Sequence, residues 1–206
     1  MQEAIKQDYF LNWVNKFGLA KLEPQHEIND NGILFHAITM WLFAKFGMVD
    51  QEDVARDFAT IKRIETPIPG MYVRFPGDIR SEAHDNAVGV CALSLLHGFG
   101  FPRDIVQYGT EKGFVYNNVD PNAWDVKFHR QGGDIAFYKI CAGYVPTIWE
   151  MLWMCGGILT SVFLAGASQT NLSWLRLECV TYAIEKKLPI YKIHWMVMLT
   201  SFTKMV

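Results

Sequence analysis

The chain has 206 residues, half of them apolar and 19% charged, and its 19 basic and 21 acidic residues leave a formal charge of −2. A chain of this length buries roughly 70% of the surface its unfolded form exposes, so it needs neither disulfides nor a structural metal for stability. No basic block stands out, which argues against a phosphate-tracking groove and so against nucleic-acid binding.

The amino-terminal stretch MQEAIKQDYFLNW carries acids and no apolar core of sufficient length, so a secretory signal is not expected. Residues 3–17 read as a first helix, with Ile5, Tyr9, Trp13 and Phe17 as a stripe at every fourth position and Gly18 as its stop. After a connection broken by Pro24, a second helix starts at Asp30 or Asn31 and runs to Phe46. It is apolar nearly all round, which implies burial on most sides. QEDVARDFATIKRIE follows as a short helix with acids in its first turn and Lys62 and Arg63 near its end, as the helix dipole favours. TPIPGMYVRFPGDIR is then an ordered loop across one face.

A helix over 82–98 ends at Gly98 or Gly100, and Pro102 opens a shorter one over about 102–109. EKGFVYNNVDPNAWDVKFHRQGGD is a second long loop, with a short strand pair around 114–117. Asp134 caps a compact helix that Gly143 stops. Helices over 147–167, 171–187 and 189–204 complete the chain, with Ser168–Asn171 separating the first two. Met151–Ala167 is uncharged for 17 residues, the lower limit for a membrane span. The Gly156-Gly157 pair, Glu150 and the lack of flanking Lys or Arg favour a helix buried in protein instead. Trp149/Trp153 and Trp174/Trp195 read as core before they read as a ligand platform.

Two stretches echo each other. NDNGILFHAITMWL and HDNAVGVCALSLL each place Asp-Asn before a long uncharged helix, with Asp30-Asn31 and Asp85-Asn86 standing 55 residues apart. Each apolar helix follows a more charged one, a pattern of stacked helical hairpins. Parallel inner helices would open their N-termini, with their N–H groups and dipoles, on one face. The expected fold is therefore a single all-α domain over 1–206. It consists of stacked antiparallel hairpins, as a bundle or partial toroid, with two long ordered loops.

The order of PGMYVRFPGDIR, SEAHDN, an apolar helix and FYKICAGYVPTIWEMLW resembles a group of all-helical proteins encoded by tailed phages. It is also loosely similar to part of the (α/α)-toroid of glycoside hydrolases and polysaccharide lyases. A full toroid needs about twelve helices, more than this length provides at ordinary helix lengths. The phage resemblance implies a structural or interaction protein of a particle or an infected cell, hence a virion or host-cytoplasmic location.

The densest polar cluster lies at the start of helix 82–98. There Asp85, His84 and Glu82, with Asp30 from the other helix start, are candidate catalytic groups. Arg80, Arg74, Asn86 and Asn31 are candidate substrate-binding groups. A helix start favours the charged form of Asp85 and disfavours imidazolium at His84, which suits a base. Two carboxylates about 5–9.5 Å apart would fit glycoside hydrolysis. The plainer alternative is a cap, with Ser81 bonding the first turn and Glu82 and Asp85 complementing the dipole. Arg130 and Gln131, beside Asp134 and aromatics, could line a sugar cleft or merely lead into a capped helix.

His26, His36, His129 and His194 show no metal-ligand spacing, and His36 reads as a hydrogen-bonded core residue. A metal held by His84, Asp85 and Asp30 is a minor alternative. GxSxG, Walker and GxGxxG motifs are absent, and no cofactor is expected. Cys91, Cys141, Cys155 and Cys179 form no CxxC pair and read as buried free thiols in a reducing compartment. Three functions follow: a structural protein that self-associates or docks on a protein partner, a carbohydrate-active hydrolase or lyase, and a membrane-associated protein built on 147–167.

Overall fold

A computed structural model describes residues 1–25, 27, 31–78, 84–114, 134–164 and 167–186; the side chains of residues 84, 159–164, 167–172 and 184 also lie outside the description. These residues form eight α-helices: α1 (Gln2–Asp8), α2 (Gly32–Lys45), α3 (Gln51–Ile64), α4 (His84–His97), α5 (Phe101–Glu111), α6 (Asp134–Cys141), α7 (Ile148–Leu164) and α8 (Ala167–Lys186). Among the described residues there is no strand, only the isolated bridges Val14–Ala20 and Glu65–Tyr72. The fold is all-α, as the periodicity implies.

At the centre lies α4, which packs on α2, α3, α5, α6 and α8. Its contact with α2 is the most extensive, and the reason is Gly89. A Cβ there would stand 2.9 Å from the backbone of Ile33 and Leu34, so only glycine lets the two helix backbones meet. The indole of Trp41, further along α2, donates to the carbonyl of Ala92 at 3.0 Å, further along α4. The contacts advance together along both helices, so α2 and α4 run in the same sense and start at the same end of the molecule. Ile33, Ala37 and Met40 from α2 and Ala87, Val88, Val90 and Cys91 from α4 are fully buried between them and their neighbours.

Helix α3 starts in a reciprocal cap. Asp50 accepts from the N–H groups of Glu52 and Asp53 (2.8 and 3.0 Å), and Asp53 accepts from the N–H of Asp50 at 3.0 Å. Two of the first turn's unpaired donors are thereby satisfied. The described part of the loop after α3, residues 65–78, packs against the helices as expected. Val73 N–H bonds Ile64 O at 2.8 Å, Met71 and Tyr72 are buried, and Gly70 lies so close to α5 that a Cβ would overlap the carbonyl of Asp104. The second long loop, 115–133, and the segment 187–206 lie outside the described residues, and with them the expected strand pair and the helix over 189–204.

Three expectations fail on physical grounds. The first helix does not run to residue 17: after Asp8 the chain makes a π-helical turn over Tyr9–Trp13 and becomes extended at Val14. A wider turn takes positions spaced by four off a common face. Ile5 and Trp13 are exposed, whereas Lys6 is buried between two carboxylates. The separator Ser168–Asn171 is inside α8, because none of its residues breaks a helix and α8 already begins at Ala167. Trp149 and Trp153 are not core: they are 74% and 69% exposed, because α7 turns its other side, at Met154, toward α6 and α8. Among the described residues no helix is long and apolar enough to cross a membrane.

Candidate functional site

The two helix starts lie together at one end of the α2–α4 pair, Asn31 two residues before Ile33 and Asn86 three before Gly89. Asn86 is fully buried, and neither atom of its side-chain amide has a hydrogen-bond partner. Buried amides are nearly always satisfied, so this one has spare capacity to donate and to accept. Asn31 occupies the N-cap position of α2 without making a side-chain capping bond. Asp85 and Arg74 are half-buried and engaged. His84 is the first residue of α4, its side chain outside the description. Asp30, Arg80, Ser81, Glu82, Arg130 and Gln131 lie outside the described residues, as do His26, His129, His194 and Trp195. Of the expected cluster, the structure therefore places Asp85, Asn86, Asn31 and Arg74.

A second constellation joins the second turn of α2 to the last turn of α4, and it leaves little local sign in the sequence. Asp57, on α3, is completely buried. Its Oδ1 lies 2.8 Å from Nε2 of His36 on α2, and its Oδ2 lies 2.7 Å from Nε2 of His97 on the last turn of α4. A carboxylate only accepts, so both imidazoles donate from Nε2. Nδ1 of His36 then meets the hydroxyl of Tyr9 at 2.7 Å, extending the chain of bonds to four residues. Burial acts against the charge on Asp57, but the charge and hydrogen bonds of His36 and His97 prevail and hold its carboxyl below the usual range. Burial pushes the Tyr9 phenol up, so it stays protonated. His36 is thus a core histidine, as read; Asp57 and His97 were not singled out.

Beside this chain, a cavity of about 320 Å³ opens between α1 and the start of α3. Its cations are already engaged. Lys6 lies 2.6 Å from both Asp50 and Asp53, and Arg56 bonds Asp53 and Glu52 at 2.7 Å while stacking 3.9 Å from the ring centre of Phe10. Asp134, expected as a cap, is buried and paired with Arg176 of α8, tying α6 to α8. Among the described residues, no group of His, Cys, Asp and Glu could hold a metal ion.

A further surface feature among the described residues is apolar. Tyr144, Val145, Ile148, Trp149, Leu152 and Trp153 are all exposed, at the start of α7 and in the turn before it. Glu150, the one charged residue in this stretch, accepts from Lys139 at 2.8 and 3.0 Å and from the N–H of Thr147 at 2.8 Å. Burial opposes its charge, but the Lys139 bond prevails and keeps the carboxyl below its ordinary range.

No family model, curated protein or solved structure matches this chain.

Proposed function

We propose that this is a structural or interaction protein, of the kind its resemblance to tailed-phage proteins implies, and that it docks through the open face of α7. One observation carries this reading: two tryptophans at 74% and 69% exposure, four residues apart and flanked by Tyr144, Ile148 and Leu152. A scattered exposed leucine needs no explanation, but a contiguous aromatic patch of this kind marks an interaction surface. Tryptophan and tyrosine are also the residues that most often anchor interfaces.

Hydroxyl-radical footprinting reads Trp149 and Trp153 separately and tests this directly. Both should be protected in cells that produce the protein and reactive in the purified chain at nanomolar dilution. Equal reactivity in the two states would refute it.

A second reading, a carbohydrate-active hydrolase or lyase at the paired helix starts, draws on the unsatisfied buried amide of Asn86. Hydroxyl groups both donate and accept, as that amide does, and Asp85 would supply the base. Glycans and peptidoglycan screened against wild type and Asp85→Asn test it; activity that is absent, or equal in the two proteins, removes it.

A further inference from the structure

We infer that the occupant of the α7 face is a second copy of this chain, packed as an antiparallel helix pair about a two-fold axis between Leu152 and Trp153. This rests on the docking role proposed above and goes further by naming the partner.

Charge narrows the choice first. From residue 142 to residue 164 there is no Lys or Arg, and Glu150 is already held by Lys139. The patch therefore offers no cation to a phosphate backbone, and it lacks the basic flank with which an interfacial helix holds an anionic membrane. Its complement must be apolar and uncharged. A two-fold interface supplies such a complement automatically, because one patch meets itself.

Area agrees. An aromatic side chain alone buries about 150–250 Å². Covering Trp149, Leu152 and Trp153 with the adjoining Ile148 would remove roughly 500–600 Å² from each copy, about 1,000–1,200 Å² in all, which reaches the size of a specific interface.

Shape then fixes the register. Positions 149, 152, 153 and 156 share one stripe of the helix. Gly156 is exposed, and nothing lies within 4 Å of the point where its Cβ would be. In an antiparallel pair centred between 152 and 153, position 149 of one helix falls opposite position 156 of the other. The Trp149 indole of each copy thus sits in the notch above its partner's Gly156, and the two Leu152–Trp153 pairs meet at the axis.

Light scattering on the purified full-length chain across a concentration series tests the pairing, with footprinting of Trp149 and Trp153 at each concentration. Wild type should be dimeric at micromolar concentration, with both tryptophans protected in step with dimer formation. Trp149→Glu should be monomeric with an unchanged circular-dichroism spectrum. Gly156→Leu fills the notch at a site where leucine favours the helix, so folding is safe; it should weaken the dimer at least tenfold. A wild-type monomer with reactive tryptophans would overturn the second-copy inference and leave the docking reading standing. A monomer with shielded tryptophans would mean that the chain covers this face itself, and both would fall. A dimer indifferent to both variants would overturn this inference by placing the interface elsewhere.

Discussion

Nε2 of His97 lies 2.7 Å from one carboxylate oxygen of Asp57, and the other oxygen is taken by His36 at 2.8 Å. One buried charge thereby ties α3 to both inner helices. Removing one member of such a network leaves the others without partners in a dry interior. Asp57→Ala should cost about 3–5 kcal/mol, read as a shift in the urea midpoint. A loss below about 1 kcal/mol, the scale of an ordinary exposed pair, would show that water reaches this site.

The same carboxylate gives the stability an acid limb. Its folded value lies below the ordinary one of about 3.9, despite the opposing effect of burial, because His36 and His97 favour the charged form. Between those two values the unfolded chain binds more protons than the folded one. The contribution of Asp57 is therefore fully present above about pH 4 and is lost as pH falls through the folded value. Urea midpoints at pH 5 and pH 3 should fall more in wild type than in Asp57→Asn; an equal fall would contradict this assignment.

Two glycines should respond to alanine in opposite ways. At Gly89 a methyl would press on the α2 backbone 2.9 Å away, which cannot yield as a side-chain tip can. Gly89→Ala should destabilise by about 1–3 kcal/mol. Gly156→Ala meets nothing and gains helix propensity, a benefit of up to about 1 kcal/mol measured where the chain is monomeric. Thermal unfolding of the two variants checks the contrast, and a stabilising Gly89→Ala would contradict the close backbone contact.

Thiol reactivity should divide the four cysteines. Cys91 and Cys179 are fully buried, and burial pushes both thiols up; Cys141 and Cys155 are half-buried. A maleimide should label Cys141 and Cys155 in the native protein, and Cys91 and Cys179 only in denaturant, as read by peptide mass spectrometry. Native labelling of Cys91 at the rate of Cys155 would mean that the α4 core opens readily.

Local signals made most of this fold legible. The acids of α3's first turn, the uncharged run of α2 and Pro102 at the start of α5 set those helices close to where they stand, because caps and prolines act within a turn. The Asp57 network was harder to see, since its members lie 21 and 40 residues apart. One signal was present nonetheless. Asp53, Asp57, Thr60, Ile61 and Ile64 form the buried stripe of α3, so two acids stand on a core-facing row. An acid in that position calls for a buried partner. The tryptophans of α7 misled for the opposite reason: periodicity shows that residues share a face, not what that face meets.

The same-sense pairing of α2 and α4 has a consequence during synthesis. Helix α2, apolar nearly all round, leaves the ribosome about fifty residues ahead of the end of α4, its principal cover. At 5–20 residues per second that is roughly 3–10 s with a greasy segment uncovered. Nascent chains halted before His97 should therefore engage holdase chaperones, and release them once α4 has emerged.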